Sequence, residues 1–224
     1  MAPANLVDLL TRAVRFHRTQ MGPATDYRLG KLLTEYLLTA DIARSCIQSN
    51  IIAAVEALNR RAVNPLTSTQ ASASWKLLGQ RRTDVTLGEP LIPDALVEVK
   101  IDVATGRKPA SDLAKMGMTL ALMDKPAARN IIGASVYEVH VQDKSGAGTL
   151  GALVKLLAAK EARIEQQIKG RTTALQQRFD IAFHALQAPH EGVFESEFTP
   201  RNGGLDLDEN GHGTHFWAAI LTKK

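Results

Sequence analysis

RRTDVTLGEPLIPDALVEVKI, residues Arg81–Ile101, carries two short alternations of apolar and polar residues. The first runs through Asp84, Val85, Thr86 and Leu87, the second from Leu96 to Ile101. Successive side chains of a strand point to opposite faces, so Glu98 and Lys100 share one face while Val97, Val99 and Ile101 share the other. Gly88, Pro90, Pro93 and Asp94 between them supply the turn chemistry of a loop or irregular hairpin. If the two strands pair, Asp84 comes close to Glu98 and Lys100. Two carboxylates and an amine then meet at one sheet edge.

Such a cluster has a chemical use. Hard divalent cations such as Mg2+ take oxygen ligands, often one or two carboxylates with water and a substrate phosphate. Asp84 and Glu98 are the candidate metal ligands, and the carbonyl of Val99 is a third. A metal beside a phosphodiester lowers the pKa of bound water and stabilises charge on the phosphate. Lys100 is placed to orient the attacking water or to add positive charge at the phosphate. In most proteins a bare E-x-K strand is only an exposed charge pair.

The pattern D-x(13)-E-x-K, with Asp84 in TDVTLG and Glu98 to Lys100 in LVEVKI, resembles the PD-(D/E)XK, or restriction-endonuclease-like, nuclease superfamily. A threonine stands where the motif has proline, and Asp94 of Pro93-Asp94 lies too near Glu98 to be its acid. The resemblance implies a glutamate-bearing helix before the core, matched by Thr34–Ser45 (TEYLLTADIARS) with Glu35, and a helix after the E-x-K strand, matched by Ser111–Met123. A further strand, Ile132–Val141, completes an α-β-β-α-β order over roughly residues 30–141. The resemblance implies metal-dependent hydrolysis of DNA phosphodiester bonds, with Glu35, Asp84, Glu98 and Lys100 catalytic and Mg2+, or Mn2+ in its place, as cofactor. A restriction or defence endonuclease is the natural role. The alternative is a non-catalytic nucleic-acid-binding or assembly protein that keeps the fold.

Composition agrees with these expectations without proving them. The 224 residues fit a single domain with a proper core. A formal charge of +4 and a pI near 9.3 are compatible with a polyanionic partner such as DNA. The lone cysteine, Cys46, excludes an intrachain disulfide and reads as a small buried hydrophobe. No apolar run approaches the roughly 20 residues of a membrane span, and the N-terminus lacks the pattern of a signal peptide. The expectation is a cytoplasmic protein with no membrane partner.

Along the chain, residues 4–20 read as a helix with Leu6, Val7, Leu10, Ala13 and Val14 on one stripe and Arg12, Arg15 and Arg18 on another face. A second helix is predicted from about Asp26 to Ala40, and a third, capped by Asp41, from Ile42 to Arg61. Glu56 in that third helix is the alternative to Glu35 as the acid that completes the cluster. Residues Val63–Ser72 read as a polar loop, Ala73–Leu78 as the first strand and Val103–Pro109 as a basic loop carrying Arg107 and Lys108. Lys115 lies one turn into the following helix. His140 reads as a packed or surface residue.

From about Thr149 to Leu186 an apolar stripe (Leu153, Leu157, Ile164, Ile168, Leu175, Phe179, Leu186) predicts a long helical stretch. It suits either a homodimer's helix pair or helices packed on the sheet, the second being the ordinary arrangement. Two strands, Gly192–Phe198 and His215–Leu221, close the chain around Asp206–Gly211, which lacks the last ligand of an EF-hand loop and reads as a turn. His212 and His215 lack partners at zinc-site spacing. The expected fold is therefore α/β: a mixed central sheet flanked by helices, a helical N-terminal part, and a C-terminal helix and hairpin extension over residues 148–224.

Overall fold

The strand alternation places Val85, Leu87, Val97 and Val99 on one face and Leu96, Glu98 and Lys100 on the other, and each face is covered by its own pair of helices. The computed structural model describes residues 1–21, 27–58, 82–89, 91–142, 150–187, 193–195, 199–201, 204–206 and 211–224. The helices are α1 (Pro3–Met21), α2 (Tyr27–Gln48), α3 (Arg107–Leu122), α4 (Leu150–Arg171) and the short α5 (Thr173–Gln176), with a 3-10 turn at Pro126–Ala128. The strands are β1 (Ala53–Leu58), β2 (Arg82–Glu89), β3 (Ile92–Lys100), β4 (Ile132–Gln142), β5 (Phe179–Ala185), β6 (Val193–Glu195), β7 (Thr199–Arg201), β8 (Gly204–Asp206) and β9 (Gly211–Lys223).

Among the described residues, the main sheet runs β1-β2-β3-β4-β9-β5, with β6 also on β9, and β7 and β8 pair separately. It is mixed: β3 and β4 are parallel, and its other neighbours are antiparallel. A parallel pair needs a crossover, which α3 supplies between β3 and β4. One core joins Leu6, Leu9, Leu10, Ala13 and Val14 of α1 and Leu38, Ile42 and Cys46 of α2 to Val97, Val99 and Val136. The other joins Leu113, Met116 and Leu120 of α3 and Leu153, Leu157, Ile164 and Ile168 of α4 to Leu96, Tyr137 and Val139. Cys46 is fully buried, and burial pushes its thiol up to about 11, as befits a packed hydrophobe. No helix among the described residues is long and apolar enough to cross a membrane.

Several boundaries depart from the sequence expectations. Asp41 does not cap a new helix. Its carboxylate takes His17 Nδ1 of α1 at 2.8 Å, so α2 runs unbroken from Tyr27 to Gln48. The helix stops instead at Asn50, whose φ of 55° is the left-handed conformation asparagine tolerates at a helix end. The amides of Ser49 and Ile51 both close onto the Cys46 carbonyl there. Ala53–Leu58, expected to be helical, is strand β1, because pairing with β2 overrides the helix preference of alanine and glutamate.

The basic segment Arg107–Pro109 is the first turn of α3, not a loop. The long helix after Thr149 ends at Arg171, where Thr172 Oγ1 bonds the Ile168 carbonyl. Residues Phe179–Ala185 then form β5 against β9. Phe179, Ile181 and Phe183 alternate at strand spacing, and that period wins over the extended helical stripe. The expected loop at 63–72, strand at 73–78, and most of the turns at 143–146 and 206–211 lie outside the described residues.

Gly106 precedes α3 and donates its amide to Gln167 Oε1 of α4 at 2.8 Å. A Cβ there would stand 2.7 Å from the Ile164 carbonyl oxygen, a backbone atom that cannot swing aside. Gly106→Ala is expected to lower unfolding free energy by about 1–3 kcal/mol, the usual cost of overpacking. Urea denaturation of the two proteins measures the difference.

Candidate active site

Val85 pairs with Val97, so Asp84 and Glu98, the next residues outward on β2 and β3, emerge on the same face. The β2–β3 ladder ends at this pair, and Asp84 extends it with its side chain. Asp84 Oδ2 accepts the Val99 amide at 2.7 Å, a charge-assisted bond that fixes the carboxylate beside β3. On its other side β3 pairs with β4, which sets Glu98 opposite Ser135 and Lys100 opposite Tyr137.

Lys100 ends β3, and its ammonium lies among four carboxylates. Glu35 Oε1 of α2 is 3.3 Å from Nζ, Asp84 Oδ2 3.6 Å, Glu98 Oε2 3.9 Å and Asp112 Oδ2 of α3 3.9 Å. The ammonium also donates to the Val99 carbonyl at 2.6 Å. Asp112 in turn holds Lys115 Nζ at 2.9 Å on its other oxygen, one helical turn away. The predicted residues Glu35, Asp84, Glu98, Val99 and Lys100 thus meet in space. Lys115, expected only as a supporting side chain, joins them through Asp112.

Glu56 does not join. It lies on β1 with φ 53°, exposed, and pairs at 3.8 Å with the exposed Arg82. Asp94, near the start of β3, pairs with the amino group of Met1 at 2.9 Å. Asp112 is the residue that sequence reading passes over. Its only signal is the i,i+3 spacing to Lys115, since a lone aspartate near a helix start usually reads as a cap. His215, set aside as a metal ligand, is buried between α4 and β9. Its Nδ1 meets Glu161 at 2.5 Å and its Nε2 meets the Gln187 carbonyl at 2.9 Å. Burial alone would lower its pKa, but these two acceptors outweigh burial and raise it.

The charges at the site are out of balance. Four carboxylates face two ammonium groups, and Glu98 and Asp112 are almost fully buried. Burial pushes Glu98 up to about 8, with the charges of Asp84 and Asp112 adding to the effect. Burial opposes the ammonium form of Lys100, yet the carboxylates, Asp112 foremost, outweigh it and raise its pKa. Asp84, Glu98 and the Val99 carbonyl are hard oxygen donors, a donor chemistry that suits Mg2+. Among the described residues no group of three or more such side chains is arranged to hold an ion as it stands, and the carboxylates are drawn to the Lys100 ammonium instead.

The Glu98 shift makes stability pH-dependent. Between about pH 4.5 and 8 the folded chain keeps a proton on Glu98 that the unfolded chain has released. Its contribution is fully present below the unfolded pKa and is lost as pH rises toward the folded one. Glu98→Gln is expected to gain stability relative to the parent as pH rises through that window. Thermal melts at several pH values test it; a pH-independent difference would rule the buried, protonated Glu98 out.

Compared with protein-family models, curated proteins and solved structures, the chain matches none.

Proposed function

We propose that this chain is a metal-dependent nuclease of the PD-(D/E)XK kind, hydrolysing DNA phosphodiester bonds. The observation that carries the reading is the meeting of Glu35, Asp84, Glu98 and Lys100 at one point from three elements separated by up to 65 residues. A buried carboxyl of raised pKa, Glu98, beside further acids and a lysine is costly to maintain, and such groups cluster at functional sites. The antiparallel β2–β3 pair, the α3 crossover and the parallel β4 agree with the element order of that superfamily.

In this reading Asp84, Glu98 and the Val99 carbonyl hold the divalent cation. The ion, when bound, supplies charge stabilisation at the phosphate and acidifies a bound water. Lys100 contributes a second positive charge beside the reacting phosphate and orients the attacking water through its rotatable donors. Glu35, half-exposed at the rim, accepts from Lys100 and keeps its ammonium directed into the cluster. Exposed Arg107 and Lys108, one turn before Asp112 on α3, supply contacts for a phosphate backbone, as do exposed Arg12 and Arg15 on α1. A restriction or defence role is the natural setting for these parts.

Cleavage assays with Mg2+ and Mn2+, on single- and double-stranded DNA and RNA, test the chemistry. Asp84→Ala and Glu98→Ala are each expected to abolish metal-dependent cleavage of DNA. Lys100→Ala is expected to lose most turnover while retaining cation binding. Full activity in both acid variants would overturn the site assignment.

Binding is separable from cleavage. Neutralised phosphates release counterions, so affinity for duplex DNA in Ca2+ is expected to fall with a log–log salt slope of about −0.9 per phosphate contacted. Replacing Arg107 and Lys108 together by alanine is expected to make that slope shallower by roughly one to two units. Salt-sensitive binding without cleavage in either metal would instead mark a non-catalytic nucleic-acid-binding protein.

A further inference from the structure

Asp112 is held differently from the other acids of the cluster. Its side chain is 2% exposed. Oδ1 takes Lys115 Nζ at 2.9 Å, while Oδ2 has no hydrogen-bond partner among the described residues and faces Lys100 Nζ at 3.9 Å. A buried carboxylate oxygen without a donor is costly, and a donor that reached it would relieve that cost. The Lys100 ammonium stands 3.9 Å from this oxygen. Closing the gap by about 1 Å would give a charge-assisted bond of ordinary length.

The same ammonium stands where a cation held by Asp84 and Glu98 would compete with it, at 3.6 and 3.9 Å from those carboxylates. Two positive charges cannot share these oxygens without strong repulsion in a partly buried site. The flexible stem of lysine allows its head to turn aside. We infer that Asp112 is a positioning residue whose free oxygen receives the Lys100 ammonium when a divalent cation displaces it from Asp84 and Glu98. In this arrangement Asp112 would hold Lys100 within the site while Asp84 and Glu98 would hold the ion. Lys115 keeps the Asp112 carboxylate oriented by occupying its other oxygen. The inference rests on the metal-dependent reading of the site.

The test is a double-mutant cycle on cation affinity. Ca2+ binding is measured by calorimetry for the parent, Asp112→Asn, Lys100→Met and the double variant, with near-ultraviolet circular dichroism confirming packing. Asp112→Asn is expected to weaken Ca2+ binding roughly tenfold, the scale of coupling between contacting charges. Lys100→Met is expected to bind no more weakly than the parent, and in its background most of the Asp112→Asn loss is expected to vanish. An equal loss in both backgrounds would make Asp112 a ligand of the ion and overturn the inference. Unchanged affinity in Asp112→Asn would also overturn it. Should Asp112→Asn fail to pack, Lys100→Met decides alone, since weaker binding there contradicts displacement of the lysine. No Ca2+ or Mg2+ uptake by the parent would bring down the metal-dependent reading itself, whereas uptake with additive effects removes only the role of Asp112.

Discussion

The ammonium of Lys100 is the charge on which the arrangement of the site depends. It is drawn at once by Glu35 of α2, Asp84 of β2, Glu98 of its own strand and Asp112 of α3. Without it these carboxylates would repel one another at short range, in a medium that screens poorly. Pairing recovers part of the desolvation cost but not all of it: burial still pushes Glu98 up to about 8. A well-packed apolar cluster of the same volume would serve stability as well or better. Stability alone therefore does not account for the polar cluster.

The sheet topology is what allows four elements to reach one atom. The antiparallel β2–β3 pair brings Asp84 beside Glu98, and the parallel β3–β4 pair obliges the chain to cross over through α3, carrying Asp112 and Lys115 over the same face. Helix α2 packs on the opposite face through Leu38 and Ile42, yet Glu35 still meets Lys100 because Lys100 is the last residue of its strand. Placed mid-strand, the lysine would face only one layer of helices. The end of β3 is where both layers are within reach.

The C-terminal part contributes to this frame directly. β9 pairs with β4 over Gly133–Gln142, and β5 closes against β9. The buried His215 joins β9 to Glu161 of α4, which packs on the same face as α3. Gly106 lets the start of α3 approach α4 at backbone distance. The Gly106 amide, bonded to Gln167 of α4, ties the start of the helix that carries Asp112 to this frame.

Much of this was legible in local sequence. The period-two alternation around Glu98 identified the strand and the face shared by Glu98 and Lys100, because that period is a property of the strand itself. The apolar stripe of α1 marked its buried face for the same kind of reason. What local pattern does not carry is competition between partners. Alanine and glutamate in Ala53–Leu58 favour a helix, but β2 offered a ladder, and Asn50 in the left-handed conformation ended the helix before it. Asp41 is as good a cap as any aspartate until His17 of another helix claims its carboxylate. Sequence favoured Glu35 with Glu56 as its alternative, and the fold turns the first toward Lys100 and the second toward Arg82. Asp112 acquired its place only because the crossover set α3 over β3. The residue types and their periods are written in the chain; which charge meets which is decided by tertiary packing, since a carboxylate has no preference of its own until a fold brings a partner within a few ångströms.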